Sequence, residues 1–105
     1  MSMQIDASAS IAGFEMKIDA DPVDSKEIDF LKAASKANAL QLRRADGDAQ
    51  ASLLVYVPVA GLLPKVVTSS PVMREAAERV RVKSIRCVDR NGNDVTCAAR
   101  WSAAL

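Results

Sequence analysis

From residue 95 to the carboxyl terminus the chain keeps a strict two-residue period. Val95, Cys97, Ala99, Trp101, Ala103 and Leu105 fall on one side, and Thr96, Ala98, Arg100, Ser102 and Ala104 on the other. That is the pattern of a β-strand with one buried face. The stretch before it, "RVRVKSIRCV", offers Ile85 and Cys87 as inward partners. Matching the two apolar faces requires an odd loop, which a three-residue turn Arg90-Asn91-Gly92 with a left-handed glycine supplies. In this register Cys97 faces Ile85 and Cys87 faces Val95, with both sulfurs turned inward.

Two readings of the cysteines follow. As reduced thiols in a cytosolic protein they are small core residues; with the loop slipped by one residue they stand opposite each other and can form a cross-strand disulfide. A structural zinc site would need more ligands, and the chain has no histidine and no further cysteine. No CxxC redox motif occurs.

The amino-terminal stretch is less regular. Met3, Ile5, Ala7, Ala9 and Ile11 are apolar at odd positions, and Phe14, Met16 and Ile18 at even ones, so the parity flips at Ala12-Gly13. A β-bulge at Gly13 within one long strand accounts for the flip; a tight hairpin pairing Ile11 with Phe14 is the alternative. Further on, "VDSKE" reads as a capping box with Asp24 as N-cap and Glu27 three residues later. It opens an amphipathic helix from Ser25 to about Ala37, with Phe30, Leu31, Ala34 and Ala37 on the core side. "SSPVMREAAERV" opens a second, shorter helix, capped by Ser70 with Pro71 in its first turn.

Between the helices, "LQLRRADGDAQASLLVYV" reads as a hairpin turning at Asp46-Gly47, which sets Leu42 opposite Ala51 and Leu40 opposite Leu53. The resulting order is strand, helix, hairpin, helix, hairpin. The simplest closure is an α+β domain over residues 1–105. It has a single, mostly antiparallel sheet with two helices on one face, a ferredoxin-like βαββαβ core plus an added carboxyl-terminal strand.

This layout leaves Glu15, Lys17, Asp19, Gln41, Arg43, Leu54, Tyr56, Arg86, Thr96 and Arg100 on the open face of the sheet. Tyr56 and Leu54, ringed by arginines such as Arg43, form the centre of a candidate protein contact, since Tyr and Arg are common anchors. The segment "VPVAGLLPKVVTSSP" is long and apolar for a connection. It either folds over one end of the core or presents Leu62, Leu63, Val66 and Val67 to a partner.

Charge is uneven along the chain. Residues 1–29 are acidic and residues 74–90 basic, the pattern of two segments that face each other. The net charge of +1 provides no global attraction to nucleic acid. Arg79, Arg81 and Lys83 alternate and could meet phosphates, but the chain has only two Phe, one Tyr and one Trp, and no RNP signature.

No catalytic constellation is visible. GxSxG, SxxK, P-loop and dinucleotide motifs are absent, and "DADPVDSKEID" lacks the ligand spacing of an EF-hand. The sequence therefore leads to no cofactor, no metal and no catalytic residues. It favours a self-associating protein-interaction or regulatory module, with nucleic-acid binding as the alternative and a small cofactorless enzyme behind both. No apolar run is long enough to span a bilayer and the start does not read as a signal peptide, so a cytoplasmic protein is expected. The abundance of Ala, Arg, Asp and Val suggests a GC-rich, bacterial genome.

Overall fold

The parity flip near Gly13 is the place where the chain leaves one sheet for another. In the computed structural model, which describes residues 1–31, 39–58 and 62–103, β1 (Ser2–Ala7) and β2 (Gly13–Asp19) belong to different sheets. Met3 and Ile5 of β1 and Phe14, Met16 and Ile18 of β2 all lie in one buried core. Residues between the strands reverse the inward parity because they carry the chain across a corner. Neither a single bulged strand nor a local hairpin describes this region.

The remaining elements are α1 (Pro22–Lys26), β3 (Leu40–Gly47), β4 (Gln50–Tyr56), β5 (Val66–Thr68), α2 (Arg74–Glu78), β6 (Arg81–Val88), β7 (Asp94–Val95) and β8 (Cys97–Ser102). One sheet has the order β5-β1-β8 and the other β3-β4-β2-β6-β7, and every pairing is antiparallel. Among the described residues 53% are strand and 11% helix, so the fold is mostly β. The expected single sheet under two helices, ferredoxin-like, is therefore overturned.

Three local outcomes account for the correction. The apolar connection after β4 supplies a strand: β5 lies along β1, pairing Val67 with Ile5, while Leu63 bridges to Ile11. Leu63 and Val67 are buried and Val66 points outward. Residues 59–61 of that connection lie outside the described residues.

The second helix is shorter than expected. Ser69 and Val72 continue alongside β1, where the Ser69 amide donates to the Met3 carbonyl at 2.8 Å and the Val72 amide to the Met1 carbonyl. This ladder claims the backbone that Ser70 and Pro71 would have used to open a helix. α2 starts only at Arg74, with no side-chain cap on Met73.

α1 also departs from the expected start at Ser25. Its N-cap is Asp21, whose carboxylate accepts from the Asp24 amide at 2.8 Å, rather than Asp24. Pro22 occupies its first turn. After Lys26 the turn carries on through Glu27, whose amide donates to the Asp24 carbonyl, and Ile28 and Phe30 are then buried; the Phe30 ring meets Phe14 edge-on at 5.1 Å between centroids. The later part of the expected helical face, Lys32 to Ala37, lies outside the described residues.

The final hairpin forms as expected and then divides. Asp89 N–H donates to the Asn93 carbonyl, Gly92 takes φ +81°, and Cys87 stands opposite Val95. Past Val95 the chain does not continue along β6. It crosses at Thr96 and pairs β8 with β1, setting Ala99 against Ile5 and Trp101 against Met3. Cys97 is thus a diagonal neighbour of Cys87, and the bend brings their α-carbons to 6.3 Å, where the two sulfurs form a disulfide. The covalent bond ties the five-stranded sheet to the three-stranded one, and the core thiol reading gives way to it.

Gly13 stands at the corner between β1 and β2. A β-carbon there would stand 2.7 Å from the Val55 carbonyl oxygen. Only glycine permits β2 and β4 to approach so closely at this point.

Two stability outcomes follow. Gly13→Ala should lower unfolding stability by about 1–3 kcal/mol through overpacking, measured by urea denaturation. Removing the disulfide, by reduction or by the Cys87→Ala/Cys97→Ala pair, should cost about 2–4 kcal/mol for a ring of this size. Far-ultraviolet dichroism should stay that of a β protein, because β8 keeps its ladder with β1.

Candidate functional site

The outer face of the five-stranded sheet is set by the register of one hairpin. The turn between β3 and β4 falls at Asp48-Ala49, with a bulge between Ala45 and Gly47, so Leu42 pairs with Leu54 and Leu40 with Tyr56. Relative to a turn at Asp46-Gly47 this is a shift of three residues, an odd number, and every β3 side chain changes face. Leu40 and Leu42 therefore come to the outside, 46% and 55% exposed. Gln41 and Arg43, expected outside, turn inward.

The reason lies in residues 28–30. The Phe30 amide donates to Gln41 Oε1 at 2.9 Å, and Arg43 donates through Nη2 to the Ile28 carbonyl. These bonds satisfy backbone groups that would otherwise be stranded beside a buried Ile28 and Phe30. Desolvation there draws the Arg43 pKa below its ordinary value, with Asp29 opposing. Asp46, displaced by the bulge, accepts from Arg44 Nε at 2.8 Å and from the Ser52 hydroxyl. Those bonds, the Ser52 one foremost, hold its carboxyl below the usual aspartate value.

Across the sheet, Leu40, Tyr56, Gly13, Val88 and Asp94 form one row, and Leu42, Leu54, Glu15 and Arg86 the next. Two shallow depressions share Glu15 and Leu54. One is lined by Tyr56, Val57 and Val88, the other by Leu42, Arg44 and Ser52. Arg86 donates to Asp94 at 2.7 Å, which raises its pKa. Leu40, Leu42, Leu54 and Tyr56 thus form an apolar group bordered by Glu15, and the flanking arginines, Arg44 and Arg86, are already paired.

The other sequence-derived candidates are scattered. Leu54 and Tyr56 share the outer face, whereas Arg43, which borders the depression beside Leu42, sends its guanidinium to the Ile28 carbonyl. Leu63 is core, whereas Leu62 and Val66 are 45% and 50% exposed near β5, on the other sheet. Thr96 is the crossover residue, and Arg100 pairs with Asp6 across the three-stranded sheet at 2.9 Å. Leu40 and Leu42 are the residues that sequence reasoning missed. The available signal was Leu54 and Tyr56, whose second apolar face calls for apolar neighbours on the adjoining strand.

Arg79, Arg81 and Lys83 do not make a row. Arg79 closes α2, where it holds the buried Asp24 through two bonds of 2.9 and 3.0 Å. Arg81 pairs with Asp19, and Lys83 falls at the β6 irregularity between Ser84 and Val82. The acidic and basic segments do face each other, through Asp24–Arg79 and through the β2–β6 ladder. Among the described residues no three His, Cys, Asp or Glu side chains gather where they could hold a metal ion.

Hydrogen bonding from Arg79 is the main cause that holds the Asp24 carboxyl below its usual value, with burial opposing it. A carboxyl whose pKa is lowered on folding stabilises the native state above its unfolded value, and that contribution disappears as the pH falls through the folded value. Asp24→Asn should therefore lower the urea midpoint near pH 7, and the gap from the parent chain should narrow steadily below about pH 4.

No protein-family model matches the chain, and no curated protein or solved structure matches it significantly.

Proposed function

We propose that this chain is a non-enzymatic protein-interaction module that associates with itself through the outer face of its five-stranded sheet. The observation that carries the reading is the exposure of Leu40 and Leu42 beside Leu54 and Tyr56. A register that placed these leucines inward was open to the hairpin, yet the fold sends them out. Apolar side chains grouped at an exposed face, with a tyrosine among them, have the composition of an interface centre.

The rim supports a protein partner over a polyanion. Arg44 and Arg86, the two arginines that flank the apolar group, each have an acid of the same chain bound to them. Arg79, one of the three cations of the nucleic-acid alternative, is engaged with Asp24. A face of mixed, internally paired charge can meet its own copy about a two-fold axis without net repulsion.

The cytoplasmic setting expected from the sequence implied reduced thiols, whereas Cys87 and Cys97 are joined. No helix among the described residues is long and apolar enough to cross a membrane.

Light scattering coupled to size exclusion tests the proposal. The parent chain should run as a dimer, and Leu42→Glu, a change at an exposed position, should weaken association by roughly 30-fold or more while leaving the thermal transition in place. A parent chain that stays monomeric at every accessible concentration would overturn it.

A further inference from the structure

The Cys87–Cys97 bond joins two unequal sulfurs. Cys87 is 1% exposed within the core, while Cys97 keeps part of its surface open at the start of β8. Both are held in place by bonds that do not involve sulfur. On one side, the Asp89 carboxylate accepts from the Asn91 and Asn93 amides, each at 2.9 Å, and Arg86 holds Asp94. On the other, Cys97 is paired with Ala7, and the Ser8 amide donates to the Thr96 carbonyl at 2.9 Å. These bonds do not depend on the disulfide, so in the reduced chain they would hold the two thiols near each other and make closure an intramolecular step with little left to order.

We infer that Cys97 is an entry site for thiol-disulfide exchange and Cys87 the sheltered thiol that completes the bond. The co-reactant is a disulfide-bearing oxidant, either a small molecule or an exchange catalyst. The Cys97 thiolate, its proton released to solvent, attacks one sulfur of the oxidant. A mixed disulfide forms on Cys97, the oxidant's S–S bond breaks, and its other half leaves as a thiol after taking up a proton. The Cys87 sulfur, deprotonated, then attacks Cys97, the intramolecular bond forms, and the second half of the oxidant leaves as a thiol. Two protein thiols and one external disulfide have become one protein disulfide and two external thiols.

The order is imposed by access. An incoming disulfide must approach the attacking residue closely, and Cys97 is partly exposed where Cys87 is buried. Exchange in reverse is limited in the same way, since an external thiol reaches only the Cys97 sulfur. The bolt between the sheets is therefore set and released from one side. Its formation places this chain, at some stage, where such oxidants operate.

Single-cysteine variants of the full chain, treated with oxidised glutathione and followed by intact mass, test the order. Cys87→Ser should take up one glutathione on Cys97. Cys97→Ser should react on Cys87 about tenfold or more slowly while folded, and the two should become equal in urea. Native rates that are equal, or faster at Cys87, would overturn the assignment. An independent arm uses the reduced parent chain, quenched with acid early in its oxidation and mapped by proteolysis. Mixed disulfide on peptides containing Cys97 supports the order, and on peptides containing Cys87 overturns it, whether or not either variant folds.

Discussion

Two sheets closing on one core is the constraint from which the rest of this structure follows. β1 and β2 are consecutive, yet their inward side chains come from opposite walls of that core. A chain can achieve this only by crossing from sheet to sheet, as it does between β1 and β2, between β4 and β5, between β5 and β6, and again at Thr96. The last crossing carries β8 away from β6 and onto β1, so the first and last strands pair. Each large inward side chain removed from water in this way contributes roughly 1.5–3 kcal/mol. α1 and α2 close the core's margin, where Arg79 at the end of α2 meets Asp24 of α1.

The candidate site is a consequence of the same closure. Once Ile28 and Phe30 are buried against Phe14, their backbone needs partners, and Gln41 and Arg43 provide them from β3. Because strand side chains alternate, committing those residues inward commits Leu40 and Leu42 outward. The apolar outer patch is thus linked to the core by alternation within one strand. A substitution at Gln41 or Arg43 therefore bears on both faces of the sheet, whereas one at Leu42 bears on the outer face alone.

Much of this was legible locally. The inward side of β6 and β8, the three-residue loop with its left-handed Gly92, the β4 core residues Leu53 and Val55, and the facing of the acidic and basic segments can be read from period and charge. The β3–β4 hairpin was also legible, but not its register. Asp-Gly is a strong turn signal whose preference is worth little beside two hydrogen bonds to a buried segment. The same competition shortened α2, where Pro71 and Ser70 favour a helix start but the ladder with β1 holds the neighbouring backbone extended.

The sequence by itself determined which residues alternate and where chain reversals fall, because period and turn chemistry act over a few neighbouring residues. It also contained the parity change at Gly13. Only the tertiary structure decided that this change divides two sheets, that Cys97 reaches Cys87 diagonally, and that two leucines of β3 face outward. Those outcomes depend on pairing partners far apart in the chain, and a strand's pattern shows that one face is buried without showing against what.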